Sequence, residues 1–222
     1  MHPPNHRAIA VFDLDGTLTW HDTLLPFLLG YLARHPRRLP RLWRLPAALA
    51  TYLFGGHDRG VLKATLITLV MGGDERSRID AWADAFVASL TGRGAFRADA
   101  LAAVKAHRHN GDRLVLLSAS PDLYVPRIGA LLGFETTICT EVAWHGQRLA
   151  GGLKSLNRHG EEKRRCIDAL RAQYAGAPIA AYGNSASDLP HLIEVERPLL
   201  VNGNSAAKRQ AAAAEVPIAD WR

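Results

Sequence analysis

The sequence predicts an α/β fold built on a parallel sheet, with a helical segment inserted after the first strand. Three observations carry this. Short apolar runs of strand length recur along the chain, each ending in a polar or glycine residue. Segments of helical spacing separate them, and that alternation belongs to parallel sheets. Between about Trp20 and Thr91 the alternation stops, and apolar residues recur only at three- and four-residue spacing.

Ala8–Phe12 (AIAVF) is the first run and stops at Asp13. Arg113–Leu117 (RLVLL) stops at Ser118, and Pro178–Tyr182 (PIAAY) at Gly183. Thr136–Thr140 and Pro198–Val201 complete five strands. Uninterrupted apolar runs of this length suit strands buried on both faces. Helices are expected over 97–109, 122–132, 161–174 and 205–215. Within the insertion, Leu24, Phe27, Leu28, Tyr31 and Leu32 mark one helix. Leu62, Leu66, Leu69 and Val70 mark another, and Ile79, Trp82, Phe86 and Leu90 a third. Pro36, Pro40 and Pro46 end or kink helices. Gly55-Gly56 and Gly72-Gly73 read as turns.

With 222 residues the chain is long enough for one large domain or for a domain carrying an insertion. We expect a core of residues 1–19 and 92–222 and a cap of residues 20–91. Hydrophobic residues at 48% and charged residues at 22% exclude a disordered or collagen-like chain. Two cysteines, Cys139 and Cys166, build no disulfide framework and suggest a reducing compartment. Met1–Arg7 lacks the apolar stretch of a signal peptide, and no uncharged apolar run reaches the ~20 residues of a membrane span. A cytoplasmic protein is expected. The net charge of +6 favours anionic partners. Arg34–Arg44 holds five arginines among Leu39, Leu42 and Trp43, and residues 21–60 carry a local charge of +4.

The chemistry starts at Asp13-Leu14-Asp15-Gly16-Thr17. Two carboxylates two residues apart at a strand end face the same way. Such a pair can divide nucleophile and proton-shuttle roles, or hold a hard cation. A solvated turn is the plain alternative. His107 and His109 form an HxH pair with no third ligand, and are expected at the surface.

The pattern Asp13–Thr17 after a buried strand resembles the first motif, DxDx[TV], of the haloacid dehalogenase superfamily. Ser118-Ala119-Ser120 after its strand looks like the second motif, and Lys163 near the start of a helix like the third. Gly183-Asn184-Ser185-Ala186-Ser187-Asp188 looks like the fourth, usually GDxxxD. The resemblance implies a Rossmann-like core with an all-helical (C1-type) cap. It implies a Mg2+-dependent phosphomonoester hydrolase that works through an aspartyl-phosphate. Asp13 would be the nucleophile and Asp15 the general acid and base. Thr17, Ser118, Ala119 and Lys163 would hold phosphate oxygens. Asp13, Asp15, Asn184 and Asp188 would form the metal site. Asn184 departs from the family's usual Asp and removes one negative charge. An acid at position 15 separates this chain from the dehalogenases and the P-type ATPases, which lack it.

A cap in this place resembles the phosphoserine phosphatase-like subgroup, in which an acid seven residues after the second motif-one Asp reads the substrate's amino group. Asp22 holds that position here, shorter by a methylene than the usual Glu. The basic, Leu- and Trp-rich cap entry is similar to that of the phosphatidylglycerophosphatases C and suggests peripheral contact with an anionic membrane. The substrate is therefore a small phosphorylated metabolite or a lipid-head phosphate, with phosphoserine as the alternative. A different class stays open: a non-catalytic protein on this fold binding anionic lipid or nucleic acid. No specific nucleic-acid partner is expected.

Overall fold

The computed structural model describes residues 8–54 and 58–222. The N-terminal heptapeptide and the expected turn at Gly55-Gly56 lie outside the described residues.

Six strands form one parallel sheet in the order β3-β2-β1-β6-β7-β8. They are β1 (Ile9–Phe12), β2 (Arg113–Pro121), β3 (Thr136–Thr140), β6 (Ile179–Gly183), β7 (Arg197–Val201) and β8 (Ile218–Ala219). β1 is central: Ile9 registers with Arg113 on one side and with Ile179 on the other. All four β1 residues are buried, and they divide by strand period between two cores. Ala10 and Phe12 join Leu114, Leu116 and Phe134 on one face, while Ile9 and Val11 join Val115, Leu117 and Ile179 on the other.

Helices cover both faces. α1 (Leu24–Arg34), α4 (Arg76–Gly92), α5 (Ala98–His109) and α6 (Val125–Leu132) contribute to the Phe12 core. α7 (Glu161–Gln173), α8 (Leu189–Leu192) and α9 (Ser205–Ala213) cover the other. The expected strands and core helices all form, within a few residues of their predicted bounds.

The insertion after β1 is helical. α1 ends at Arg34, and Pro36–Arg44 winds as a 3-10 helix with Pro36 at its start. α2 (Leu45–Phe54) and α3 (Arg59–Met71) follow, then α4. Asp58 caps α3 by accepting from the Gly60 and Val61 N–H groups at 2.7 and 3.2 Å. The turn at Gly72-Gly73 is tied by Arg38, which donates to the Val70 and Gly72 carbonyls at 3.2 and 3.1 Å. Arg38 also pairs with buried Asp74, which accepts from the Tyr31 hydroxyl and fixes α1 to the start of α4.

Two features were not expected. An antiparallel hairpin, β4 (Val142–His145) and β5 (Arg148–Leu153), leaves the end of β3 and packs on α3. The periodicity hides it because Gly146, Gly151 and Gly152 all take positive φ and break the alternation. His107 is not a surface residue. It is inserted between Asp112 and Tyr182, with Nδ1 2.7 Å from the Asp112 carboxylate and Nε2 2.7 Å from the Tyr182 hydroxyl. Of the pair, only His109 is exposed, and both ring nitrogens of His107 are taken by these contacts.

Candidate active site

β1, β2 and β6 end side by side, so the residues that follow them share one crevice at the carboxyl edge of the sheet. A cavity of about 460 Å³ opens there. Asp13, Asp15, Ala119, Lys163, Asn184 and Asp188 line it from the core side, and Asp22 from the insertion.

Asp13 is anchored by its N–H, which donates to the Tyr182 carbonyl at 3.0 Å. The chain then makes a wide turn over Leu14–Leu18, closed by Thr19 N–H to Leu14 O at 3.0 Å. Gly16 takes φ +82 in that turn, and a Cβ on it would lie 2.0 Å from Asn184 Nδ2. Only glycine meets both demands. Gly16→Ala should displace Asn184 and strain the turn, destabilising the fold by ~1–3 kcal/mol. Urea melts together with turnover assays check this, and a wild-type melt with wild-type turnover would refute it.

Lys163 is the electrostatic centre. It is 3% exposed and reaches Asp13 Oδ1 at 2.6 Å and Asp188 Oδ1 at 2.7 Å. Asp188 Oδ2 accepts from the Asn184 N–H, the Ser185 N–H and the Ser185 hydroxyl at 3.1, 2.9 and 2.8 Å. Both Asp188 oxygens are thus committed to orienting Lys163 and the β6 loop. The adjacent lysine holds the Asp188 carboxyl well below the usual carboxylate range, against its burial. Asp13 moves the other way. Burial raises it, Lys163 opposes that, and Asp188 and Asp15 add to it.

Asp15 is held on both oxygens. Oδ1 accepts from the Thr23 N–H at 2.7 Å and the Thr23 hydroxyl at 2.6 Å, and Oδ2 from the Ser120 hydroxyl at 2.6 Å. Thr23 in turn contacts the Tyr124 hydroxyl at 2.9 Å. Burial, then Asp22, push the Asp15 carboxyl upward, the direction a proton donor needs. Thr17 is fully buried behind Asp13, its hydroxyl 3.3 Å from Oδ2. Ser118 is also buried, and its Oγ accepts from the Ser120 N–H at 3.0 Å, which shapes the end of β2. Asp22 lies at the cavity wall and also accepts from the Leu25 N–H at 3.0 Å, at the start of α1.

The structure adds residues that the motifs do not reach. Arg59 and Lys63 project from α3 into the cavity, joined there by Asn157 and His159 from the loop before α7. Lys63 donates to the Ala119 carbonyl and to Asn157 Oδ1, the latter at 2.5 Å. Arg59 Nη1 donates to His159 Nε2 at 3.1 Å. Burial lowers the Lys63 ammonium to about 8. A sequence signal did exist. Arg59 and Lys63 are the only charges in α3, and a spacing of four places them on one helix face.

Among the described residues the Asn184 side chain makes no hydrogen bond, although it lines the cavity beside Asp13 and Gly16. The available donors here are oxygens, which suits a hard cation. No cluster of three or more His, Cys, Asp or Glu suited to a metal is present among the described residues.

A crevice with this constellation at the carboxyl edge of a parallel sheet defines a hydrolase site of one superfamily. The family model for haloacid dehalogenase-like hydrolases matches residues 10–192, and the chain belongs to that family. Among curated relatives, Protein CicA of Caulobacter vibrioides is 33% identical over 193 residues, covering 82% of this chain and 81% of CicA. The Mycobacterium tuberculosis protein named Probable phosphatase Rv3661 is 26% identical and covers 97% and 76% of the two chains. Among solved structures, a Bordetella pertussis protein of unknown function superposes with a TM-score of 0.82 at 22% identity, covering 97% of this chain and 99% of that one. A phosphoserine phosphatase solved as a phospho-aspartyl intermediate analogue gives 0.65 at 12% identity, covering 93% and 91%. At these identities the structural likeness speaks for the fold. No helix among the described residues is long and apolar enough to cross a membrane.

Proposed function

We propose that this enzyme is a Mg2+-dependent phosphatase that hydrolyses phosphomonoesters through an aspartyl-phosphate on Asp13. The observation that carries the reading is the Asp13–Lys163–Asp188 chain of contacts facing Asp15 across one cavity. A phosphatase name among the relatives points the same way.

The chemistry follows from the residues. Asp13 Oδ2 attacks phosphorus, the ester P–O bond breaks, and Asp15 gives its proton to the departing alkoxide. Asp15, now ionised, takes a proton from water. That water attacks the acyl phosphate, releasing inorganic phosphate and restoring Asp13. Lys163 offsets charge on the transferring group. The resemblance also assigns phosphate oxygens to Thr17, Ser118 and the Ala119 N–H; of these Ala119 lines the cavity, while Thr17 and Ser118 lie buried behind it. Asp13, the Asp15 carbonyl and the Asn184 amide oxygen would hold Mg2+, which would neutralise phosphate charge. Asp188 supports this arrangement by fixing Lys163 and the loop.

The insertion of residues 20–91 serves as the cap, excluding bulk water and supplying Arg59 and Lys63. Two added cations suit a small ester bearing a second acidic group beside its phosphate. Asp22 at the wall leaves room for an amino group, so phosphoserine belongs in the test. Two buried free thiols, Cys139 and Cys166, fit a cytoplasmic setting.

Phosphate release from an aryl phosphate, phosphoserine, sugar phosphates and phosphatidylglycerophosphate micelles tests the reading. Turnover should require Mg2+. Saturating Mg2+, at ~100 times its Kd, should also stabilise the chain by ~2.7 kcal/mol. Turnover undiminished in chelator, or no release from any ester with Mg2+ present, would sink it.

Lys63 gives a separate pH signature. Its charge is present below about 8 and lost above it. For a diacidic substrate kcat/KM should therefore fall as pH rises through that value. Lys63→Arg should remove the inflection, and Lys63→Met should raise KM ~10-fold or more with a smaller effect on kcat. An unchanged profile in Lys63→Arg would assign the inflection to another group.

A further inference from the structure

Beyond the catalytic cavity, the surface of the insertion over residues 37–53 is built unlike a solvated helical face. The 3-10 helix Pro36–Arg44 buries none of its residues, and Trp43 is 74% exposed. α2, which follows, contains no charged residue in LPAALATYLF. Leu39, Leu49 and Leu53 are exposed at 51%, 42% and 54%. A helix that is apolar yet exposed has a face still to cover.

The charge around this face is one-sided. No Asp or Glu occurs between Thr23 and His57, while Arg34, Arg37, Arg38, Arg41 and Arg44 fall within the stretch. Arg38 is consumed by the turn after α3 and by Asp74. Arg41 donates to the Gly72 carbonyl at 2.9 Å. Arg37 and Arg44 remain exposed, with the Arg44 guanidinium 5.4 Å from the centre of the Trp43 ring. Beside them a groove of about 480 Å³ runs between the 3-10 helix and the end of α3, lined by Pro40, Arg41, Trp43, Arg44 and Leu69.

We propose that this face docks the enzyme on an anionic lipid bilayer. Trp43, Leu39, Leu49 and Leu53 enter the interfacial layer, and Arg37 and Arg44 meet lipid phosphates. Charge chooses the occupant. A second copy paired symmetrically would set this arginine cluster against itself. A nucleic acid would satisfy the arginines but leave the leucines in water. An anionic bilayer satisfies both. Length sets the mode. The ten residues of α2 span ~15 Å, half of a hydrocarbon core, so the segment lies on the membrane.

The full chain is spun with vesicles of phosphatidylcholine alone and with vesicles containing about one-third phosphatidylglycerol, at low and high salt. Retention on the anionic vesicles should be about tenfold higher and weaken in salt. Arg37→Glu with Arg44→Glu, and separately Leu49→Glu with Leu53→Glu, should each release the protein. Both pairs should keep the wild-type circular dichroism and melting temperature. Binding is read without turnover, so a failure of the phosphatase reading would not be mistaken for a failure of docking. Four results would overturn the proposal: no retention, equal retention on both vesicles, retention indifferent to both variant pairs, or capture by oligonucleotides in place of vesicles. A concentration-dependent dimer lost in the leucine pair would overturn it too, by assigning the face to self-association.

Discussion

Asp13→Asn abolishes phosphate release while the chain stays folded. The substitution keeps the shape of the side chain and removes the oxygen nucleophile. We expect kcat to fall by at least about 10⁴-fold, the scale seen when a nucleophile is deleted from a cooperating set. The stability effect has the opposite sense. Burial holds the Asp13 carboxyl above its ordinary value of 3.8, so the folded state of the metal-free chain retains a proton that the unfolded state gives up. Stability should therefore decline as pH rises from the ordinary carboxylate value towards the raised one. An asparagine carries no such slope. In chelator at neutral pH the variant should melt at or above the wild-type temperature, with a flatter pH dependence. Appreciable turnover in Asp13→Asn would exclude the covalent route.

Lys163→Met should be the most destabilising single change at the site. It removes the cation between two buried carboxyl groups, at 2.6 and 2.7 Å, and leaves Asp188, which that lysine keeps ionised, without a countercharge. Loss of one partner from a buried ionic cluster costs ~3–5 kcal/mol, read as a shift of the urea midpoint. Activity should be lost together with it. A double-mutant cycle isolates the cause. Asp13→Asn in the Lys163→Met background removes a buried carboxyl that Asp188 and the lost lysine had shared, and at pH above the raised Asp13 value it should recover part of the stability, a coupling that independent sites would not show. Strict additivity would place the loss in packing instead.

Sequence made most of this legible because the determinants are local. Ile9–Phe12 is apolar at every position because β1 is buried on both faces, and the polar residues after β1 and β2 stand where parallel strands present their ends. The resemblance to the superfamily motifs selected Asp13, Asp15, Ala119, Lys163 and Asn184, which line one cavity. What stayed hidden was set by tertiary contact. Lys63 touches Ala119 and Asn157, partners 56 and 94 residues away, and no neighbour in sequence announces that. The β4–β5 hairpin escaped because three glycines at positive φ replaced its alternation. His107 looked like a surface residue at the end of a polar helix, yet Asp112 and Tyr182 draw it inward.

The central position of β1 fixes the order in which the molecule can be completed. Its partners lie at Arg113 and Ile179, about 104 and 170 residues further along the chain. During synthesis the strand that leads into Asp13 therefore waits unpaired on one side until β2 emerges and on the other until β6 does. At ribosomal rates of ~5–20 residues per second that interval is on the order of ten seconds or more. Loops closed over such distances make folding slow, and apolar AVF beside two acids is exposed meanwhile. Lys163, the cation that neutralises those acids, is translated 150 residues after Asp13. The nascent chain thus acquires its charge balance and its sheet in nearly the same moment, and fragments ending before β6 should be substrates for chaperones rather than partial enzymes.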